Sequence, residues 1–392
     1  MYNLKVFKRF FISIISVFII LNWCTSCVSN SPATYNSKSE ETSFSDFESI
    51  TLTFAGDIMA HTNVTRMKDF SLVYDGIKDI CLNDDLTFAN MESPVIDSQE
   101  YENWPTFNAR NEYVMAAVNS GFDVFTLANN HTNDQGLKGI NATRDFFDSL
   151  KDKNVYSCGI KKNANDDYTY QLIEKNGFKI LFMGVTEIYN STNCIEWFDT
   201  TDRSEKSRKS FIEKVTQMRK EHPCDVFVLA FHCNEPEYVI DVTEKRKNYY
   251  HRLLDAGVDV IWANHPHVMQ EWEVVKSLKN PHQSKLILYS VGNLISGQRS
   301  KRNYGDPSAI REYTGESFLV QLTYKKSNDI IFAEQPEFVI LTNHTQGPAG
   351  VYDSLIKKLD ENFINSLSSI DQNYYRKRLE LCNKITGKTI WR

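Results

Sequence analysis

The 392-residue sequence predicts an α/β fold with a central, mostly parallel sheet. Two observations support this prediction. Apolar runs of strand length alternate with helical stretches through the first two-thirds of the chain, which is the order of βαβ units. Short polar clusters follow several of these apolar runs, and open α/β sheets bind ligands at the carboxyl ends of their strands. The sequence therefore predicts both a fold class and the edge at which a site lies.

The individual elements follow from apolar periodicity and from the residues at their ends. For example, Thr243 offers a capping hydroxyl at the start of one helix, and Gly257 follows its end. The predicted strands are 51–56, 86–90, 123–128, 179–186, 225–231 and 258–263, and the predicted helices are 71–80, 111–120, 136–151, 204–221 and 243–256.

The final third of the chain changes character. The runs KLILYSVGN, ESFLVQLTY and DIIFAEQPEFVIL are strand-like, and the turn-forming KKSND separates the second from the third. We therefore expect added antiparallel strands that extend or face the first sheet. Residues 350–392 are predicted to be helical, because apolar residues recur there at helical spacing. These residues are Leu355, Leu359, Phe363 and Leu367.

Residues 1–27 have the features of a bacterial lipoprotein signal peptide. A positively charged start precedes the apolar run FFISIISVFIILNW, and small residues before Cys27 resemble a lipobox, in which cleavage precedes a lipid-modified cysteine. Cys24 stands where that motif has an aliphatic residue, so an uncleaved anchor and a soluble secreted form stay open as alternatives. We expect an exported protein of the bacterial cell envelope, held at the membrane through Cys27.

Composition divides the remaining chain. Residues 28–49 are rich in Ser, Thr and Asn and lack the apolar side chains of a core, which predicts a flexible tether. Residues 50–345 are expected to form the main domain, and residues 346–392 a C-terminal helical extension. The net charge is −6 without a basic block, which argues against nucleic acid as a partner. The scattered cysteines favour buried free thiols, with disulfides left open.

The polar clusters at the strand ends have the chemistry of a metal site. Carboxylates, neutral imidazoles and an amide oxygen together suit a divalent cation, and a pair of cations can hold both oxygens of a phosphoryl group. The sequence therefore predicts one or two divalent metals, with Mn, Zn and Fe as candidates and the identity open. The clusters are Gly56-Asp57, Asn90-Met91-Glu92, Asn129-Asn130-His131, His232 and His265-Pro266-His267, and the predicted ligands are Asp57, Glu92, Asn130, His232, His265 and His267.

One imidazole of these clusters stays outside the predicted ligand set. His131 lies next to the predicted ligand Asn130, directly after a buried strand, where a functional role is favoured over that of an ordinary turn histidine. Asp134 can hold the His131 ring in one tautomer, as carboxylates do for catalytic histidines. The alternative is that Asp134 caps the helix that starts near Gly136. We prefer the orienting role and count Asp134 with the catalytic residues.

Six motifs, in this order, resemble those of a known family. GDIM, ANMESPV, FDVFTLANNHTNDQG, FHCNEPE, HPHVMQ and SVGNLIS are similar to motifs of the CapA/PgsA family of capsule and poly-γ-glutamate biosynthesis proteins. That family is part of the calcineurin-like metallophosphoesterase superfamily. The resemblance covers about residues 50–345. It implies a four-layer α/β/β/α sandwich, with the metals at the edge between two sheets.

The resemblance also implies a role for each candidate residue. Asp57 resembles the aspartate ligand of the first metal, and His267 resembles another ligand of that metal. Glu92 stands where the superfamily has a bridging carboxylate. His131 resembles the imidazole that donates a proton or hydrogen bond to the substrate. The residues that resemble ligands of the second metal are Asn130, His232 and His265.

One position departs from the superfamily pattern. That pattern begins Asp-x-His, but Met59 occupies the His position, and methionine is a poor ligand for a hard cation. His61 lies four residues after Asp57 and is a candidate replacement. The departure weakens the case for a filled first metal site and for strong phosphatase activity.

Two functions are consistent with these residues. The first is an envelope-anchored, metal-dependent hydrolase of phosphoesterase type that acts on an anionic capsule polymer or its precursor. The alternative is a non-catalytic assembly or export factor that binds a polyanion such as poly-γ-glutamate. Either role could involve other capsule-synthesis proteins of the membrane. A basic segment after SVGN could receive such a polymer or be an ordinary solvated loop; its residues are Arg299, Lys301, Arg302 and Arg311.

Overall fold

A computed structural model describes five stretches of the chain. The predicted signal peptide, 1–27, and most of the predicted tether, 28–49, lie outside them, and the first strand begins at Glu48. Within the described stretches, no helix combines the length and the apolar character needed to cross a membrane. The described residues are 47–276, 284–327, 330–347, 353–387 and 390–391.

Strands and helices alternate along most of the described chain. The strands are β1 (Glu48–Ile58), β2 (Leu86–Met91), β3 (Phe122–Thr126), β4 (Tyr156–Cys158), β5 (Tyr170–Lys175), β6 (Phe178–Thr186), β7 (Val226–His232), β8 (Val260–Asn264), β9 (Trp272–Lys276), β10 (Ser284–Leu288), β11 (Asn293–Ile295), β12 (Glu316–Ser327), β13 (Ile330–Ala333), β14 (Glu337–Gln346), β15 (Asp353–Lys358) and β16 (Ile390–Trp391). The α-helices are α1 (Thr62–Thr65), α2 (Lys78–Cys81), α3 (Asn111–Val118), α4 (Gly136–Asp148), α5 (Glu205–Glu221), α6 (Glu244–Asp255), α7 (Glu361–Asn365) and α8 (Ser369–Thr386), and the 3-10 helices are Phe70–Tyr74, Lys151–Lys153, Ile195–Trp197 and Ile310–Gly315.

The strands form two sheets, each with a parallel centre. The first has the order β15-β14-β12-β1-β2-β3-β4, with β11 paired to β1 and β13 to β12. The second has the order β16-β9-β10-β8-β7-β6-β5. Strands β1 to β4 run parallel, as do β6, β7, β8 and β10. The predicted antiparallel additions are confirmed for β12, β13 and β14, whereas β10 lies parallel to β8 and antiparallel to β9.

The two sheets pack face to face through large apolar side chains. Successive residues of a strand point to opposite faces, so Phe54 faces the second sheet while Ala55 faces the helices. The ring of Phe54 lies 6.1 Å from that of Trp262, and the rings of Phe88 and Phe182 are 5.5 Å apart. This contact fixes β1 and β2 against β8 and β6.

Helices cover the outer face of each sheet. On the first sheet, Tyr113 of α3 and Phe147 of α4 pack in one apolar core with Phe125 of β3. On the second sheet, Phe211 of α5 and Tyr250 of α6 share a core with strands β6, β7 and β8. The order is therefore helix, sheet, sheet, helix, which confirms the predicted four-layer sandwich.

The helical prediction for residues 350–392 is wrong at its start. Residues Asp353–Lys358 form β15, whose backbone pairs with the free edge of β14. Leu355 is buried there as part of the first sheet, so its spacing to Leu359 does not reflect a helix. Helices α7 and α8 then follow, and Tyr374 and Tyr375 of α8 reach the core between the sheets.

The predicted helix 71–80 is also divided. It forms the 3-10 helix Phe70–Tyr74 and the short α2, with Gly76 between them. A Cβ atom on Gly76 would lie 2.2 Å from the carbonyl oxygen of Ile356 in β15. This close approach of two backbones, which sequence periodicity does not reveal, accounts for the break.

A buried ion triad anchors α8 to the first sheet. Arg299 and Arg378 both pair with the carboxylate of Glu316, which lies in β12. Arg378 donates to Glu316 Oε2 from Nε at 2.9 Å, and Arg299 also donates to Thr342 Oγ1 at 2.8 Å. Burial alone would raise the pKa of Glu316, but the two guanidinium groups outweigh it and hold that pKa below its ordinary value.

The triad corrects the interpretation of the basic segment as one solvated or polymer-binding loop. Arg299 is buried and paired with Glu316, and Arg302 pairs with Asp371 of α8 at 3.1 Å. Only Lys301 and Arg311 are exposed. The prediction of free thiols is confirmed for the described cysteines, of which Cys81, Cys158, Cys194, Cys224, Cys233 and Cys382 are all free.

Replacing Glu316 tests how much the triad contributes to the stability of the fold. Glu316→Gln leaves two buried guanidinium groups without their counter-charge, so we expect the free energy of unfolding to fall by about 3–5 kcal/mol. Urea unfolding of the full-length protein measures it. Glu361→Gln is the control, because Glu361 pairs with Arg376 at the surface and its loss should cost under about 1 kcal/mol. Equal effects of the two substitutions would contradict the role of the triad.

Candidate metal centre

The predicted polar clusters meet at one edge of the sandwich. Asp57 lies near the end of β1 and Glu92 directly follows β2, so the first sheet supplies both carboxylates. His232 is the last residue of β7, and His265 and His267 follow β8 of the second sheet. The edge is therefore formed by the carboxyl ends of parallel strands from both sheets, as the sequence predicts.

One group of three potential ligands consists of Asp57, Glu92 and His267. Their ligand atoms all lie within 4.8 Å of one another. His267 Nδ1 is 3.2 Å from Asp57 Oδ2, and His267 Nε2 is 3.6 Å from Glu92 Oε1. Two carboxylates and one imidazole form a donor set that suits a divalent cation.

A second group consists of Glu92, His232 and His265, again with ligand atoms within 4.8 Å of one another. His232 Nε2 is 3.8 Å from Glu92 Oε1 and 2.8 Å from Asn130 Oδ1. The amide oxygen of Asn130 therefore lies at this group, where the resemblance implies a ligand. Glu92 belongs to both groups, which is the geometry of a bridging carboxylate.

The electrostatics of the two groups favour bound cations. Burial raises the pKa of Glu92 well above its ordinary range, and the nearby charge of Asp57 adds to the effect. Burial lowers the pKa of both His232 and His265 well below the ordinary value, which keeps these imidazoles neutral and able to bind metal. Glu92 Oε1 and His265 Nδ1 are buried without a hydrogen-bond partner. Such orphaned atoms are costly unless a ligand satisfies them, so the residues fit divalent metal ions.

Two asparagines that the sequence analysis did not assign hold the carboxylates in place. Asn90 Nδ2 lies 2.8 Å from Asp57 Oδ1 and 3.1 Å from Glu92 Oε2. Asn129 Nδ2 donates to Asn90 Oδ1 at 3.1 Å and to the carbonyl of Met91 at 2.9 Å. Both residues belong to the polar clusters at the strand ends, so the sequence places them near the site. Their supporting contacts depend on the tertiary structure.

His131 and Asp134 form a buried pair beside the metal groups. His131 Nδ1 lies 2.6 Å from Asp134 Oδ2, and the same oxygen accepts the backbone N–H of Phe107 at 2.8 Å. A carboxylate at Nδ1 makes that nitrogen the proton carrier and leaves Nε2 for the substrate. The ring of His131 also lines a cavity of about 470 Å³. The predicted orienting role of Asp134 is therefore consistent with the geometry.

Met59 and His61 lie outside both groups of described ligands. Met59 is buried, lines the same cavity, and accepts the hydroxyl of Tyr113 at its backbone oxygen, 2.9 Å away. His61 packs against Phe107 with ring centroids 4.9 Å apart, and burial lowers the pKa of His61 to about 3. The structure thus places no substitute imidazole within the first ligand group.

The backbone turns sharply on both sides of Pro266. His265 has φ 104° and His267 has φ 58°, both in the region that non-glycine residues rarely adopt. Asn293 Oδ1 lies 3.0 Å from His267 Nδ1 and helps to fix that ring. Such strained backbone is concentrated at functional sites, where the surroundings enforce it. Here the sharp turn directs both imidazoles to Glu92.

Substitutions at the shared carboxylate test the two-group geometry. Because Glu92 belongs to both groups, Glu92→Gln should reduce bound divalent metal more than either Asp57→Asn or His265→Gln, each of which removes a ligand from one group. Elemental analysis of the full-length proteins measures the metal content, with circular dichroism as the check of folding. His222→Gln is the matched control, since His222 packs on Tyr170 away from the site. Wild-type metal content in Glu92→Gln would exclude a shared ligand.

Known proteins share this sequence pattern. A capsule biosynthesis protein CapA of Bacillus anthracis is 27% identical over 278 residues, covering 68% of this chain and 64% of that protein. The chain thus spans slightly less than two-thirds of that relative. A PGA biosynthesis protein CapA of Bacillus subtilis is 24% identical over 364 residues, covering 90% of this chain and 86% of that protein.

Solved structures with a similar arrangement include two phosphatase-like proteins. One is described as a novel phosphatase from Mycoplasma pneumoniae, with a TM-score of 0.43 and 14% identity, covering 76% of this chain and 95% of that chain. Another is the calcineurin-like phosphoesterase YfkN of Bacillus subtilis, with a TM-score of 0.41 and 15% identity, covering 85% and 99%. Both TM-scores lie below 0.5, so the site assignment rests on this chain's own residues.

Family membership follows from the sequence itself. The sequence profile of the family described as bacterial capsule synthesis protein PGA_cap matches residues 51–298, which is more than half of the chain. The matched region contains every residue of the two ligand groups and the pair of His131 and Asp134. The chain therefore belongs to the bacterial capsule synthesis protein PGA_cap family.

Proposed function

We propose that this protein is a divalent-metal-dependent hydrolase of phosphoesterase type that acts on an anionic capsule polymer, such as poly-γ-glutamate, or on its precursor. The observation that carries the proposal is Glu92, which is shared by two ligand groups beside the pair of His131 and Asp134. A bridged pair of cations suits phosphoryl chemistry, and a binding protein has no need of an oriented imidazole next to it.

The residues of this chain would divide the work as follows. Asp57, Glu92 and His267 would hold one cation, while Glu92, His232 and His265, with the amide oxygen of Asn130, would hold the other. Bound divalent cations activate water as a nucleophile and offset the charge of the phosphoryl group in the transition state. His131 donates a proton from Nε2 to the leaving group, and Asp134 keeps the ring oriented through Nδ1.

One observation favours a second function, in which the same edge binds a polyanion without cleaving it. Met59 stands where the superfamily has a histidine, and His61 does not enter the first ligand group. A weakly held first cation would favour binding over turnover. The basic segment gives less support than the sequence suggested, because Arg299 and Arg302 are engaged in ion pairs with Glu316 and Asp371.

The N-terminal sequence supports an envelope location. Residues 1–27 have the charge, apolar run and small residues of a lipoprotein signal, and the two CapA relatives are capsule or PGA biosynthesis proteins by name. We propose that lipid on Cys27 holds the domain at the outer face of the bacterial membrane, where it meets the polymer and other capsule-synthesis proteins of the membrane.

Substitution of the imidazole separates hydrolysis from binding. His131→Gln should lower the turnover of aryl phosphate monoesters and diesters by about 10²- to 10⁴-fold, the usual contribution of general acid catalysis, while leaving the metal content unchanged. Asp134→Asn should also lower turnover, because the ring loses its acceptor. Steady-state kinetics of the full-length protein, loaded in turn with Mn, Zn and Fe, measures both effects.

The same assay distinguishes the two functions. Wild-type turnover that survives in the control His222→Gln and falls in His131→Gln supports the hydrolase. If the wild-type protein binds metal but turns over no faster than His131→Gln with any of the three metals, the hydrolase is rejected for these substrates and the polyanion-binding function leads.

A cysteine substitution tests the anchor. Lipid attachment requires the thiol of Cys27, so Cys27→Ser should move the protein from the membrane fraction to the soluble fraction or leave it as the unprocessed precursor. Cys24→Ser is the control and should leave the distribution unchanged. Fractionation of the producing bacterium, with mass spectrometry of the N-terminus, measures the outcome. An unlipidated wild-type N-terminus would contradict the anchor.

A further inference from the structure

The cavity beside the candidate metal centre is lined by site residues and by residues outside the ligand groups. His131 and His267 of the site line it. Trp104, Tyr238 and Arg311 line the same cavity, and the Trp104 side chain is 69% exposed. A substrate bound for reaction at His131 would therefore also meet these three residues, so their chemistry bears on the part of the substrate next to the cleaved bond.

Arg311 is the cation of the basic segment that faces this cavity. Among the ion pairs of the described residues, none includes Arg311, whereas Arg299 and Arg302 are both paired. Glu237 lines the same cavity and forms no ion pair with Arg311 either. The guanidinium of Arg311 is therefore available to a ligand, and its planar fork matches a carboxylate or a phosphate.

The position of Arg311 is fixed although its charge is unpaired. Its guanidinium carbon lies 4.4 Å from the centre of the Tyr238 ring, a cation–π contact that holds the group without neutralising it. Tyr238 has φ 66°, and its backbone N–H donates to the carbonyl of Pro266 at 2.9 Å. Pro266 lies between the two histidines of the site, so the Tyr238 ring is tied to the metal-binding loop.

A second connection joins the segment of Arg311 to the site. Asn293 Nδ2 donates to the carbonyl of Thr314, in the same 3-10 helix as Arg311, and to Gln298 Oε1, each at 3.0 Å. Asn293 also contacts His267 through its side-chain oxygen at 3.0 Å. These hydrogen bonds connect the backbone segment of Arg311 to the candidate metal centre, as a positioning subsite requires.

We infer that Arg311, supported by Tyr238, forms an anion subsite that binds a carboxylate or phosphate group of the substrate adjacent to the cleaved bond. The inference rests on the proposed function, in that the same cavity receives the substrate. It identifies a substrate with at least two neighbouring anionic groups, one at the metal centre and one at Arg311. A repeating polyanion has such spacing by construction, and a simple neutral ester lacks it.

Binding of two small anions tests the subsite without requiring turnover. Isothermal titration of the full-length protein with inorganic phosphate and, separately, with glutarate measures the affinity for each anion. Arg311→Gln should weaken the binding of at least one of them by about tenfold or more, the value of a charge-assisted hydrogen bond. Arg311→Lys, which keeps the charge but not the fork, should give a smaller loss. The anion whose affinity falls more in Arg311→Gln identifies the group that the subsite prefers, phosphate or carboxylate.

Lys301→Gln is the matched control, because Lys301 is exposed in the same segment but does not line the cavity. Its loss should change the affinity by about twofold or less. The subsite is overturned if Arg311→Gln binds both anions like wild type, if Lys301→Gln loses as much, or if wild type shows no saturable binding.

The experiments can reject the anion subsite and the proposed hydrolase activity independently of each other. Binding that depends on Arg311 in a protein without turnover rejects the hydrolase alone. Turnover with a KM unchanged by Arg311→Gln rejects the subsite alone.

Discussion

Two carboxylates, Asp57 and Glu92, lie buried close together where the two sheets meet. Burial raises the pKa of the Glu92 carboxyl well above its ordinary value, and repulsion from the nearby charge of Asp57 adds to the effect. The amide of Asn90 contacts both groups, but the nearby His232 and His265 are held neutral by burial and cannot balance the charge. Divalent cations would remove the repulsion and satisfy the orphaned atoms of the site.

Neither sheet supplies a complete ligand group. The first sheet brings the carboxylates and the second brings the imidazoles, so their separation depends on the apolar core between the sheets. Trp262 of β8 donates from Nε1 to the carbonyl of Ala55 at 2.9 Å, two residues before Asp57. The same side chain packs against Phe54 and Phe88. Packing in this core therefore sets the separation of the candidate ligands, and damage to the core is expected to disturb their arrangement.

The basic residues after β11 have different structural roles. Arg299 is buried with Glu316 and Arg378, and this triad fixes α8 on the first sheet. Arg311 lies over Tyr238 at the cavity wall with its charge unpaired. A buried cation needs a partner and becomes structural, whereas an exposed one at a cavity keeps its donors for a ligand. Among these basic residues, Arg311 is the one that lines the cavity.

The order of apolar runs and polar clusters determined the α/β class, most strand positions and which polar side chains follow the strands, because strand ends are a local property of the chain. Contacts between residues far apart in the sequence decided the remaining features of the structure. Asp57 and His267, 210 positions apart, meet only after the sheets pack. Leu355 joined a strand because β14 offered an unpaired edge, which local spacing does not report. The different fates of Arg299 and Arg311, and the left-handed backbone at His265, likewise come from surroundings that the tertiary structure alone supplies.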